Sequence, residues 1–181
     1  MKAFTFRRGS SARVAWHAAA LLAALGALSR DVNATEAVPE FVGSVDPFVK
    51  AAVIRAFAIA LEQLGRTRCL QVFSEFNDGA GRSLTENLEA LNLTASSQLT
   101  SVRVADGAHE STCADPRVLA FTHPGASTIY VCGHRFAKLT RMNPRLAAAL
   151  ILHEQLHSLG LGENPPESRE ITGSVLRSCG N

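Results

Sequence analysis

The stretch 143–160 constrains this chain more than any other. Asn143 offers a capping side chain and Pro144 suits the first helical position. From Leu146 to Leu159 no helix breaker intervenes, and Gly160 then supplies a C-terminal stop. Leu146, Ala147, Ala148, Ala149, Leu150, Ile151, Leu152, Leu156 and Leu159 surround the helix and leave it no polar face. A helix that is apolar all round is buried, so the rest of the fold must wrap around it. Into it are set His153, Glu154 and His157. Two imidazoles and a carboxylate in such a place need partners, or they lose on the order of several kcal/mol.

His153-Glu154-Gln155-Leu156-His157 spells HExxH. Residues four apart share a helix face, so both imidazoles can bind one metal ion. Glu154 stands beside them, placed to take a proton from water on that ion. Imidazole and carboxylate donors around a tetrahedral site with an open position suit zinc, so Zn2+ is the expected cofactor. The chain continues Ser158-Leu159-Gly160-Leu161-Gly162-Glu163, which completes the pattern HExxHxxGxxE.

With these residues the chain resembles the zincin metallopeptidases. The pattern looks like the metzincin signature HExxHxxGxxH, with Glu163 where the third His would stand and Gly160 where a glycine turns the chain back toward the metal. The resemblance implies His153, His157 and Glu163 as metal ligands, Glu154 as catalytic base and a peptide or protein substrate. It also implies an edge strand along the cleft, for which 128–132 is the candidate. Two departures stand beside it. A metzincin has a Met-turn downstream, whereas no Met follows His157 and Met142 precedes it. The gluzincin branch takes its Glu from a following helix, so Glu170 and then Glu167 rank behind Glu163. The stretch 152–179 also resembles small exported bacterial proteins in which a zincin-like motif is followed by Gly-Glu-Asn-Pro-Pro, which implies a family but no substrate.

Charge is unevenly distributed. The formal net charge is +2, yet residues 1–34 hold Lys2, Arg7, Arg8, Arg13 and Arg30 against Asp31 alone. A basic start, an apolar run over 14–28 and the small residues around Val32-Asn33-Ala34 predict a signal peptide over 1–34, cleaved near Ala34. That run is short of the roughly 20 residues a spanning helix needs, so no stable membrane span is expected after cleavage. The remaining 147 residues carry 13 basic and 15 acidic groups, and the location implied is secreted or periplasmic. All four cysteines lie in this part, and an even count in an exported chain reads as two disulfides with three pairings open. A zinc site built from them would need a CxxC spacing that is absent. Cys113–Cys132 would bracket a predicted hairpin and is favoured together with Cys69–Cys179. The small net charge, the lack of a basic run and the single Tyr and Trp argue against nucleic acid as a partner; the oligomeric state is not legible.

The other elements follow from local signals. Residues 35–47 are acidic, contain Pro39 and Pro47, and read as an extended segment leading into a zincin-like domain over 48–181. A core helix is predicted over 48–64, with Asp46 as cap and Gly65 as stop. A strand is expected over 69–76, and a short helix over 83–90 with Ser83 and Glu86 in capping-box spacing. A second strand is expected over 99–104, and a hairpin joins 118–122 to 128–132 around His123-Pro124-Gly125. A last helix covers 167–179, with Ile171, Val175 and Leu176 facing the core. Together these predict an α+β, zincin-like fold, with a small, mostly antiparallel sheet packed on the long core helix and the HExxH helix. Few residues remain after Gly160, so the substrate pocket is expected to be shallow or completed by a partner. His109 is expected in solvent, His123 in a turn and Tyr130 in packing, while His134 follows the candidate edge strand and could reach the cleft. A second functional class stays open, an exported binding protein with a structural or vestigial zinc site, distinguished by four protein ligands in place of three.

Overall fold

The computed structural model describes residues 38–180, and the leader expected over 1–34 lies outside them. In chain order the elements are β1 (Glu40–Val42), α1 (Pro47–Leu64), α2 (Thr67–Leu70), α3 (Val72–Glu75), α4 (Leu84–Ala90), α5 (Ala95–Ser101), β2 (Arg103–Asp106), a 3-10 turn (Ser111–Ala114), β3 (Ala120–Phe121), β4 (Thr128–Val131), α6 (Gly133–Met142), α7 (Pro144–Ser158) and α8 (Ser168–Cys179). The fold is α+β with one small mixed sheet.

The two long helices begin as their sequences dictate. The Asp46 carboxylate accepts hydrogen bonds from the Phe48 and Val49 N–H groups at 2.8 and 3.3 Å. Asn143 Oδ1 accepts from Leu146 N–H at 3.1 Å. In both helices Pro follows the cap, where its missing N–H costs no hydrogen bond. Helix α7 is central: α1, α6 and α8 pack on it, and β3 and β4 lie against it. Ala147, Ala148, Ala149, Ile151 and Leu156 are fully buried, as expected of a helix with no polar face.

The sheet corrects one expectation. Its order is β1-β2-β4-β3, with β1/β2 and β2/β4 parallel and only β3/β4 antiparallel. The hairpin signal led to its antiparallel pairing, Ala120 with Val131 and Phe121 with Tyr130. The parallel pairings join strands separated by long crossovers, which leave no local mark. The order also corrects the edge strand. β4, the core of 128–132, lies between β2 and β3, and of the two edge strands, β1 and β3, it is β3 that lines the cleft.

Three further segments depart from expectation. Residues 69–76 are helical in α2 and α3, not a strand. Buried Cys69, Val72 and Phe73 are spaced three and four apart, a helical period that a short apolar run can hide. Leu99 belongs to α5, so the strand starts at Arg103. Residues 133–142, which carried no assignment, form α6, with Phe136 and Thr140 facing inward one turn apart. The capping box of Ser83 and Glu86 opens α4 as predicted, and α8 covers most of 167–179.

The disulfides are Cys69–Cys179 and Cys113–Cys132, the favoured pairing. The first ties α2 to the end of α8, and the second ties the 3-10 turn to the end of β4. Among the described residues no helix is long and apolar enough to cross a membrane.

Candidate metal centre

One turn of α7 separates His153 from His157, and both are buried, at 3% and 4% exposed. Their Nε2 atoms lie 2.9 Å apart. Each ring is fixed from behind. His157 Nδ1 lies 2.7 Å from the Leu161 carbonyl, and because a carbonyl can only accept, Nδ1 carries the proton. The Nε2 lone pair of His157 is therefore free. His153 Nδ1 lies 3.0 Å from the Thr172 hydroxyl on α8, which can accept in the same sense. Two such lone pairs at 2.9 Å repel each other unless a proton or a cation sits between them.

Glu163 completes the group. Its Oε1 lies 3.6 Å from His153 Nε2 and 3.3 Å from His157 Nε2. A tetrahedral ion bound at about 2.0–2.1 Å would hold its ligand atoms about 3.3 Å apart, so the spacing of the donors fits. Among the described residues His153, His157 and Glu163 form the one cluster of His, Cys, Asp and Glu able to hold a metal ion. The approach of Glu163 follows from how α7 ends. Gly160 N–H bonds the His157 carbonyl and Leu161 N–H the Leu156 carbonyl, at 2.8 and 3.2 Å. Gly160 has φ +105°, a conformation few other residues tolerate, and the chain turns back past the histidines. The two alternatives are occupied elsewhere. Glu170 Oε2 accepts from the Glu167 N–H at 3.0 Å in the cap of α8, and Glu167 pairs with Arg169 at 2.8 Å.

Glu154 lines the same cleft, buried, and its Oε2 has no hydrogen-bond partner within the protein. Burial first, and the Glu163 charge second, push its carboxyl up to about 8. Thr122 opposes this shift, although its hydroxyl completes no hydrogen bond. Burial first, then His157, holds His153 down to about 3. Protein groups alone thus leave both neutral at pH 7, and a cation among the donors would reverse the balance for Glu154.

The cleft has a volume of about 1020 Å³. Its floor is α7, one wall is β3 with the residues just before it, and the other is α8 through Ser168, Thr172 and Gly173. It is larger than the short tail after Gly160 suggested, because the wall opposite α8 comes from upstream of α7. His134 is exposed on α6 and does not reach the cleft; it lines a separate groove with Arg55 and Lys138. Tyr130 stacks on Phe121 with ring centroids 4.9 Å apart, a packing role, while His123 makes a T-shaped contact with Phe121. His109 is exposed in a turn. Thr172 and Thr122 were not legible as site residues, since each reaches α7 from a different element and no spacing announces it.

Comparison with protein-family models, with curated proteins and with solved structures finds no match.

Proposed function

We propose that the chain is an exported zinc-dependent hydrolase that cleaves peptide bonds, with His153, His157 and Glu163 as ligands and Glu154 as general base. The observation that carries this reading is the convergence of three donor atoms on one wall of the cleft, beside a buried carboxyl that makes no complete set of hydrogen bonds. A structural ion takes four protein ligands, whereas a three-donor set leaves one position for water or substrate. This favours an enzyme over a binding protein with a structural site.

A bound zinc ion would polarise the scissile carbonyl and bring the pKa of bound water toward about 7. The protein's own groups do the rest. The Leu161 carbonyl holds His157 in the tautomer that frees Nε2, the Thr172 hydroxyl can accept from His153 Nδ1–H to the same effect, and the two Nε2 atoms face the same point. Beside a bound dication Glu154 would be ionised, and its carboxylate would then be placed to accept a proton from the attacking water and to return it to the leaving amine. The free edge of β3 runs along the cleft and offers backbone groups on which an extended peptide can lie. Two disulfides support work in an oxidising compartment.

The experiment is Glu154→Gln. The variant retains one zinc per chain by metal analysis and loses about 10²–10⁴-fold in peptide hydrolysis. A wild-type protein that binds zinc and hydrolyses nothing in a broad peptide panel would remove the catalytic reading.

A further inference from the structure

The turn that brings Glu163 back to the histidines is gripped from outside by residues that hydrolysis does not use. Leu159 is the C-cap of α7, and its carbonyl is among those at a helix end that the helix cannot satisfy itself. Asn87, on α4 and only 8% exposed, supplies the missing donor: its Nδ2 bonds the Leu159 carbonyl at 2.9 Å across 72 residues of chain. The second N–H of the same amide bonds Asp78 Oδ2, also at 2.9 Å. Asp78 is fixed in turn. Its Oδ1 accepts from the Ala80 and Arg82 N–H groups at 2.8 and 3.0 Å, and its Oδ2 from the Arg82 guanidinium at 3.0 Å. The Asn87 amide foremost, with the Arg82 backbone next, holds the Asp78 carboxyl down to about 2, so it accepts at any working pH.

Asp78 also lies close to the turn. A Cβ placed on Gly160 would sit 3.1 Å from Asp78 Cβ and 3.8 Å from Asn87 Nδ2. Glycine at 160 therefore answers two demands, its positive φ and the close approach of this pair. From the inner side the same turn is held by His157, whose Nδ1–H bonds the Leu161 carbonyl. Glu163 lies two residues further on. Its side chain is 38% exposed and faces the two imidazoles, so its direction is inherited from the backbone that leaves this turn.

We propose that Asn87, held by Asp78, is the positioning residue of the third metal ligand: it grips the end of α7 and so aims Glu163 at His153 and His157. The inference rests on reading Glu163 as a ligand. Orienting contacts around metal ligands are commonly worth about 10–100-fold in metal affinity, and this one acts through the path of the chain.

The test measures the affinity of the full chain for Zn2+ alone, by competition with a chromogenic chelator, in wild type, Asn87→Ala, Asp78→Ala, Glu163→Ala and the double variant Asn87→Ala/Glu163→Ala. Asn87→Ala is expected to bind about 10–100-fold more weakly while keeping wild-type far-UV circular dichroism and a cooperative melt. Its Co2+ derivative should show a shifted visible absorption band, which a loss of stability alone does not produce. Asp78→Ala should move affinity the same way by a smaller factor, and it decides the matter if Asn87→Ala does not fold. In the Glu163→Ala background, Asn87→Ala should weaken binding less than it does in wild type, because its route is already cut. Wild-type affinity in Asn87→Ala and Asp78→Ala, with Glu163→Ala weakened, overturns the positioning role and leaves the ligand assignment standing. Losses that multiply in the double variant also overturn it. If Glu163→Ala binds like wild type, or wild type binds no zinc, the ligand reading fails and takes the inference with it.

Discussion

Glu154 and His153 are displaced in opposite directions by the same cause, burial in α7, and the displacement makes metal-free stability depend on pH. Between its ordinary 4.5 and about 8, Glu154 keeps its proton in the folded protein and has lost it in the unfolded chain, so stability falls as pH rises. Between 6.5 and about 3, His153 stays neutral in the folded protein while the unfolded chain takes up a proton, so stability falls as pH drops. The two slopes oppose each other where the windows overlap, and above 6.5 only the Glu154 slope remains. At about 1.4 kcal/mol per pH unit, easing as pH nears 8, the metal-free protein should lose about 1.5 kcal/mol between pH 6.5 and 8. Urea denaturation in the presence of chelator reads this directly. Glu154→Gln should be flat over that window, and equal slopes in the two proteins would place the proton elsewhere. The motif residues were legible because i,i+4 spacing on a helix is a local rule. Their orienting partners were not: Thr172 lies 19 residues from His153, and the Leu161 carbonyl carries no side-chain identity to read.

Helix α7 shows how far pattern alone reaches for an element. Its lack of a polar face predicted burial all round, and Ala147, Ala148 and Ala149 are 0% exposed. With α1, α6 and α8 all packed on α7, three fully buried alanines leave little room for a larger side chain. Ala148→Leu should therefore overpack the junction and cost about 1–3 kcal/mol by urea denaturation, with the disulfides intact. A loss under half a kcal/mol would mean that the junction has slack. Short elements were less legible for a physical reason. Over four residues an apolar pair fits a strand or a helical turn equally well, so the pattern over 69–76 suggests a strand where α2 and α3 stand, and that over 99–104 does not separate the end of α5 from β2. Where a cap was present, as with Ser83 and Glu86, the helix was placed well, because a cap fixes an end independently of the period.

For the molecule as a whole, the two disulfides differ in what they close. Cys69–Cys179 spans 110 residues and Cys113–Cys132 spans 19. The chain-entropy relation gives about 5 kcal/mol for the longer loop and about 3 for the shorter. Replacing Cys69 and Cys179 by Ala should thus lower the denaturant midpoint more than replacing Cys113 and Cys132. It should also loosen the wall that carries Thr172, so that metal affinity falls with it. The reverse order in non-reducing urea titrations would show that strand anchoring at Cys132 outweighs loop length.

From the sequence alone came the buried helix, its caps, the two imidazoles on one face, the glycine that ends it and a carboxylate three residues beyond. Each depends on interactions within a few residues, which the chain encodes directly. The tertiary structure decided which strand is the edge of the cleft, that β1, β2 and β4 run parallel, that Glu163 and not Glu170 faces the histidines, and that Asn87 grips the end of α7. Those contacts join residues far apart in the chain, and their geometry exists only once the core around α7 has closed the loops between them.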